Sequence, residues 1–149
     1  MIVKFYDQVE DEKLKFAVIA ARAEGKWVFC KHKARTTFEM PGGHREPGEP
    51  ILDTARRELQ EETGATAFDL QSVCVYSVTD SDNFDGAETY GLLCTAQVHA
   101  FGPIDSEMEK IVLTADLPTQ WTYPQIQPKL LAELERRGVI QCTDCCFLI

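Results

Sequence analysis

The order of apolar and polar positions predicts a chain built mostly of strands, with two helices. Continuous apolar stretches predict strands at Leu14–Ala21 and Lys26–His32, and the link Ala23-Glu24-Gly25 predicts a hairpin between them. Further strands are predicted at Leu70–Thr79, Thr89–Ala100 and Lys110–Leu113. This order predicts an α+β or α/β fold around a mixed sheet.

The two helices are bounded by proline and glycine. The first is predicted at Ile51–Thr63, with Pro50 at its first position and Gly64 just past its end. Before it, a short extended piece at 36–40 is halted by a turn at Pro41-Gly42-Gly43. The second helix is predicted within Pro124–Arg137 and ends before Gly138.

The first helix carries an acidic face that conflicts with its own stability. On a helical wheel the apolar arc is Leu52, Ala55 and Leu59. A second arc holds Glu58, Glu61 and Glu62, with Glu62 near its border with the apolar arc. These glutamates repel at i,i+3 and i,i+4 spacing and lie where the helix dipole disfavours negative charge. An ordinary solvated face is the alternative. Uncompensated repulsion instead indicates a site for a hard cation such as Mg²⁺ or Mn²⁺.

Composition and charge narrow the class of protein. The chain has 149 residues with 15 Lys+Arg against 24 Asp+Glu, a formal net charge of −9. This balance argues against binding to duplex nucleic acid, so a cation must mediate any contact with phosphates. The longest apolar run, Phe16–Ala21, is far too short for a membrane span, and no secretory signal precedes it. The six cysteines form no disulfide or zinc framework, which favours a cytoplasmic protein.

A glycine turn, a downstream glutamate and the acidic helix together match a known motif. The segment from Gly43 to Ala65 resembles the Nudix box, G-x5-E-x7-R-E-U-x-E-E-x-G-U. The matching positions are Gly43, Glu49, Arg57, Glu58, Leu59, Glu61, Glu62 and Gly64. Ala65 departs from the pattern at its last position, where a bulkier aliphatic residue is usual. That position concerns packing and leaves the chemistry untouched.

The resemblance implies a fold and a set of roles. The fold would be an α/β/α sandwich around a mixed sheet, in one domain spanning residues 1–149 with a short cysteine-rich tail at 141–149. Glu58 and Glu62 would be the principal metal ligands, joined by Glu61 and the Gly42 carbonyl. Arg57 would orient the catalytic glutamate, with Gly43 and Glu49 in support.

Residues outside the box complete the expected site. The general base is a box glutamate or a loop glutamate, for which Glu107 fits better than Glu109. The segment Phe38–Gly43, which contains Glu39 and follows Arg35, is similar to one in the nucleoside-triphosphate-cleaving branch of the family, so Arg35 and Glu39 are predicted substrate contacts. The remaining predicted substrate contacts are two aromatic residues able to stack on a base, Phe84 and Tyr90.

The predicted activity is metal-dependent pyrophosphohydrolysis of a nucleotide. The substrate would be an intact or oxidised nucleoside triphosphate, giving monophosphate and pyrophosphate. Alternatives are a nucleotide sugar, ADP-ribose or a dinucleoside polyphosphate, or a non-catalytic nucleotide-binding module. The expected partner is the small-molecule nucleotide, without membrane or duplex nucleic acid, and a homodimer stays open.

Overall fold

A computed structural model describes residues 1–80, 86–104 and 108–140, apart from the side chain of residue 109. The strands are β1 Ile2–Tyr6, β2 Leu14–Ala23, β3 Lys26–His32, β4 Gly42–His44, β5 Ala65–Thr79, β6 Glu88–Phe101 and β7 Met108–Thr114. The helices are α1 Ile51–Thr63 and α2 Gln127–Arg136, with a 3₁₀ turn at Asp11–Lys13. None of the helices in these described ranges is both long and apolar enough to cross a membrane.

The strands form one mixed sheet in the order β1-β5-β6-β2-β3-β7, with β4 added beside β2. Only the β2–β6 pair is parallel, and the other pairs are antiparallel. The predicted hairpin between β2 and β3 is confirmed: Glu24 and Gly25 both have positive φ, as a two-residue turn of this kind requires.

Alternation along β2 divides the core into two layers. Ala17, Ile19 and Ala21 face α1, where they share a buried cluster with Ala55 and Leu59. The intervening residues of β2 face the opposite side, where they pack in the cluster that contains the buried leucines of α2. The helices therefore cover opposite faces of the sheet, and the expected α/β/α sandwich is confirmed.

Several local expectations were wrong or incomplete. Strand β1 was not predicted, and β5 and β6 are longer than their apolar patterns indicated. Pro50 is the N-cap residue of α1 rather than its first helical residue. Leu52, in the first turn of α1, is 37% exposed, whereas Leu59 and Thr63 on the same side of the helix are fully buried.

The Gly42–Gly43 segment is a strand instead of a turn, and this difference shapes the molecule. β2 pairs with β3 only over Ala21–Ala23, and nearer its start it pairs with β4 instead. Across the gap, Cys30 of β3 exchanges two backbone hydrogen bonds with Glu39. The segment 38–44 thus fills the opening where β2 and β3 diverge, and it borders both faces of the sheet.

Candidate functional site

Helix α1 presents the box carboxylates beside β4. Pro50 has an extended conformation that ends the preceding loop, and Gly64 ends the helix in the left-handed conformation, with φ +77°. Ala55 and Leu59 are fully buried against the sheet, which fixes the rotation of the helix about its axis. The three glutamates Glu58, Glu61 and Glu62 consequently line the side of α1 next to Gly42 and Gly43.

Arg57 holds the acidic side chains in a single hydrogen-bonded group. Its guanidinium donates to Glu49 at 2.8 and 3.1 Å, to Glu58 at 2.7 Å and to Glu61 at 3.3 Å. It also donates to the backbone carbonyl of His44 at 2.9 Å. The hydrogen bonds from Arg57 lower the pKa of Glu49 to about 2. The repulsion expected along this face is therefore offset more fully than the sequence indicated.

Glu49 also connects the loop before α1 to the helix itself. Its carboxylate accepts a 2.6 Å hydrogen bond from the Thr54 hydroxyl and a 3.2 Å hydrogen bond from the Glu46 backbone N–H. Glu49 is thus placed as a support for Arg57, as the resemblance implies, and it lies behind the acidic face rather than on it.

Glu58 and Glu62 converge on the backbone of β4. The Gly42 N–H donates to Glu62 at 2.8 Å, and the Glu58 carboxylate lies so close to Gly43 that a Cβ there would overlap it. Burial is the main cause that raises the pKa of Glu62, to about 8, and burial also raises the pKa of Glu58. Two carboxylates are thus held close together with little solvent around them.

The candidate metal ligands are held by protein hydrogen bonds. Across the residues that the structure describes, no three His, Cys, Asp or Glu side chains stand in a ready metal-ligating arrangement. At Gly42 the observed hydrogen bond to Glu62 uses the N–H, whereas the sequence predicted a role for the carbonyl. The oxygen-only donors of this group nevertheless match the preference of Mg²⁺ and Mn²⁺.

A cavity of about 300 Å³ opens on the α2 face of the sheet, next to the same β4 backbone. Its lining includes Phe16, Val18, Glu39, Met40, Gly42, Gly43, His44, Tyr76, Tyr123, Ile126 and Gln127. The acidic group and the cavity therefore meet at Gly42–His44. A separate cavity of about 230 Å³ near Phe29 and Asp116 is lined by none of the predicted site residues.

The predicted pair Arg35 and Glu39 lies at this cavity. Arg35 donates to the Glu39 carboxylate at 3.2 Å and to the Tyr123 hydroxyl at 3.3 Å. The Arg35 guanidinium also lies over the Tyr123 ring, 5.7 Å from its centroid. Glu39 is buried, whereas Arg35 is exposed at the rim.

Of the other predicted residues, Tyr90 is described by the structure and lies elsewhere. Tyr90 points toward the α1 side of the sheet, where it contacts Tyr6 and donates a 2.8 Å hydrogen bond to Glu88. It does not line the cavity. Phe84 and Glu107 lie outside the residues that the structure describes.

Sequence reasoning missed most of the cavity wall. Tyr123 and His44 were not predicted as site residues, but both line the cavity. Phe16 and Val18 could have been found from their alternation with the α1-facing residues of β2. Gln127 carries no sequence signal, since its position depends on how α2 packs.

Comparisons with known proteins show which sequences and folds the chain resembles. The model of the NUDIX domain matches residues 11–134. YtkD of Bacillus subtilis, named as an 8-oxo-dGTP diphosphatase, is 37% identical over 76 residues, covering 51% of this chain and 48% of that protein. An ADP-ribose pyrophosphatase of Bacillus subtilis is 44% identical over 64 residues, covering 40% of this chain and 35% of that protein. The matched stretch thus spans less than half of either curated relative.

Among solved structures, the Bacillus subtilis pyrophosphohydrolase BsRppH superposes with a TM-score of 0.75 at 25% identity. The match covers 93% of each chain. The shared fold therefore extends over most of the chain.

Proposed function

Because the chain belongs to the NUDIX domain family, we propose that it is a divalent-metal-dependent pyrophosphohydrolase acting on a nucleoside diphosphate-linked substrate. The observation that carries the proposal is the convergence of Glu58 and Glu62 on the Gly42–Gly43 backbone. A base-sized cavity adjoins this group, so a nucleotide can span both. The names of the curated relatives support an activity of this kind.

The donor set fits Mg²⁺ or Mn²⁺. Glu58 and Glu62 would be the principal ligands, with Glu61 and the Gly42 carbonyl in addition. When bound, the cation supplies charge neutralisation on the diphosphate and a lower pKa for a reacting water. Clustered carboxylates alone would repel a diphosphate, so the proposed activity requires the cation.

The protein's own side chains then orient the reacting groups. Arg57, fixed by Glu49, holds the Glu58 carboxylate in position through its 2.7 Å hydrogen bond. Hydrolysis joins the water oxygen to phosphorus and breaks the bridging P–O bond, and a carboxylate accepts the water proton. Glu61 and Glu107 are the candidates for this base. The pH dependence of kcat in Glu61→Gln and Glu107→Gln assigns it, because loss of the base removes the rise of kcat with pH, whereas loss of a metal ligand lowers kcat and keeps that rise.

The first substrate we propose is an intact or oxidised nucleoside triphosphate, cleaved to monophosphate and pyrophosphate. The name of YtkD and the TM-score of 0.75 to BsRppH support it. The second candidate is ADP-ribose. It is supported by the 44% identity to an ADP-ribose pyrophosphatase, although that match covers only 64 residues. Nucleotide sugars and dinucleoside polyphosphates complete the set to be tested, together with a purely nucleotide-binding role.

A substrate panel tests the proposal. Nucleoside triphosphates, ADP-ribose, a nucleotide sugar and a dinucleoside tetraphosphate are incubated with Mg²⁺ or chelator, and the products are separated by anion-exchange chromatography. Glu58→Gln and Glu62→Gln should each lose most turnover while keeping a folded circular dichroism spectrum. Glu10→Gln, at an exposed acid outside the box, is the matched control. The proposal is contradicted if a variant carrying both Glu58→Gln and Glu62→Gln keeps native turnover, or if the native protein hydrolyses none of the substrates.

We further propose that the chain works as one domain in the cytoplasm. Support comes from Cys30, Cys74 and Cys94, which are free and buried, as suits a reducing compartment. The tail cysteines lie outside the described residues. The net charge of −9 argues against duplex nucleic acid as a partner. Light scattering of the purified chain decides between a monomer and a homodimer.

A further inference from the structure

Arg45 joins the loop that carries Glu49 to the start of strand β2. Its guanidinium donates to the Glu49 carbonyl at 2.6 Å, and to the carbonyl oxygens of Asp11 and Leu14 at 2.8 and 3.2 Å. It also pairs with the Asp11 carboxylate at 2.8 Å. The backbone N–H of Arg45 donates to the Lys15 carbonyl at 2.8 Å. Arg45 therefore connects the 3₁₀ turn, the start of β2 and the loop before α1.

The side chain of Arg45 is mostly covered, although the loop around it is open to solvent. It is 17% exposed, whereas residues 46–48 are all exposed. These residues form a turn in which the Glu49 N–H donates to the Glu46 carbonyl at 3.1 Å. Hydrogen bonds from a charged guanidinium are stronger than neutral ones, and its planar fork fixes their directions. Arg45 thus anchors an exposed turn to the sheet.

Glu49 transmits the position of this loop to the acidic group. Its carboxylate accepts two hydrogen bonds from Arg57, at 2.8 and 3.1 Å, and Arg57 donates to Glu58 at 2.7 Å. Arg57 also donates to the carbonyl of His44, the residue just before Arg45, at 2.9 Å. A shift of the loop would therefore displace Arg57, and the Glu58 carboxylate would lose a partner that fixes its orientation.

We propose that Arg45 is a positioning residue for hydrolysis, because it fixes the loop from which Glu49 holds Arg57. Arg57 in turn keeps the Glu58 carboxylate in place. The inference rests on the proposed function, since the orientation of Glu58 affects turnover only if the acidic group binds the cation and the diphosphate. Arg45 does not line the cavity on the α2 face, and the inference assigns it no contact with substrate.

Steady-state kinetics of Arg45→Met at saturating Mg²⁺ test this role, with the nucleotide that the native protein hydrolyses fastest. Loss of a group that orients a metal ligand typically costs 10- to 100-fold, so kcat should fall by roughly that factor while KM stays near its native value. Arg56→Met is the matched control, because Arg56 is exposed on α1 and pairs with the exposed Asp53. It should keep native kcat. Thermal melts set an assay temperature at which every variant is folded.

Arg45→Lys separates the cross-link from the charge. Lysine keeps the positive charge, but its ammonium group lacks the fork that reaches oxygens of Asp11 and Glu49 together. Its kcat should therefore stay as low as that of Arg45→Met. Native kcat in Arg45→Lys, or a raised KM with native kcat in Arg45→Met, would show that only the charge of Arg45 matters and would overturn the inference.

A double-mutant cycle tests whether Arg45 acts through Glu49. Arg45→Met should lower kcat in the native background but add little further loss to Glu49→Gln, because both substitutions release Arg57. Loss by the same factor in both backgrounds would show an independent structural effect and would overturn the inference.

Asp11→Asn decides the matter if neither Arg45 variant folds. The Asp11 side chain is 68% exposed and holds the far end of the guanidinium, so this variant should fold, lower kcat and leave KM unchanged. Native kcat in Asp11→Asn would then overturn the inference. Native kcat in folded Arg45→Met also overturns it and leaves the proposed function standing. Absence of turnover in the native protein overturns the proposed function, and the inference with it.

Discussion

Gly42 and Gly43 are neighbours on β4, yet alanine at each should produce opposite defects. A Cβ at residue 42 would lie 2.5 Å from the Ala17 carbonyl oxygen and 3.0 Å from the Val18 Cα. Both atoms belong to the backbone of β2 in the middle of the sheet, where they cannot move aside. A Cβ at residue 43 would instead overlap the carboxylate of Glu58, which is the far end of a flexible side chain.

The magnitudes follow from what must move. Gly42→Ala forces two paired strands apart, a kind of overpacking that typically costs about 1–3 kcal/mol. For a chain of this size each kcal/mol lowers the melting temperature by roughly 2–4 °C, so a decrease of roughly 2–12 °C is expected. Gly43→Ala displaces the Glu58 carboxylate from its 2.7 Å hydrogen bond with Arg57. Water can hydrogen-bond to both separated groups, so Gly43→Ala should lower the free energy of unfolding by only about 1 kcal/mol.

Activity should change in the opposite order. In Gly43→Ala the displaced Glu58 carboxylate no longer faces the diphosphate site, and the loss of one preorganised electrostatic group typically lowers kcat by about 10²–10³. Gly42→Ala, assayed well below its melting temperature, should retain more activity than Gly43→Ala.

Thermal melts with chelator and Mg²⁺-dependent turnover, measured on the same preparations, test this pair. If Gly43→Ala melts as low as Gly42→Ala, the Glu58 side chain cannot yield as argued. If Gly43→Ala keeps native kcat, the carboxylate is not needed where the structure places it. Either result refutes the reasoning.

Three more predictions concern metal, pH and a helix end. At a hundred times its dissociation constant, Mg²⁺ should stabilise the protein by about 2.7 kcal/mol, which would appear as a higher melting temperature than in chelator. Glu58→Gln should reduce this rise without lowering the melting temperature measured in chelator. Hydrogen bonds from neighbouring hydroxyls lower the folded-state pKa of Glu88 to about 2, so its contribution to stability is present above its ordinary pKa and disappears as the pH falls toward 2. Glu88→Gln should therefore make the free energy of urea unfolding less dependent on pH over that window. An unchanged pH dependence in the variant contradicts this. Gly64→Ala should lower the free energy of unfolding more than Gly138→Ala does. Both residues have φ near +75°, but of the two only Gly64 would place a Cβ in overlap with a backbone oxygen, that of Gly102. Equal denaturation midpoints in the two variants would contradict the overlap.

The clustering of the acidic group could be predicted from sequence because it is encoded locally. Helix α1 was predicted with its observed bounds, since Pro50 and Gly64 mark its ends within a single short segment. The box glutamates and Arg57 lie within one helix and the loop before it, so their spacing alone brings them together. Nothing in that reasoning required knowledge of strand pairing.

The rest depends on contacts between distant segments. Gly42 and Gly43 are a strand only because β2 leaves β3 and accepts them as partners, which no local glycine preference predicts. Tyr90 seemed suited to stacking on a base, but the register of β6 turns it toward α1. The cavity needs α2 laid across the sheet, and amphipathic spacing does not determine where a helix docks.

The divergence of β2 and β3 creates two parts of the molecule that can change independently of each other. The acidic group belongs to the α1 face and the cavity to the α2 face, and they meet at the three residues of β4. Substitutions at Tyr123 or Gln127 can reshape what the cavity accepts without disturbing the packing of α1. Selection can therefore change the lining of the cavity while the acidic group is kept, and an engineer can alter one of the two without rebuilding the other.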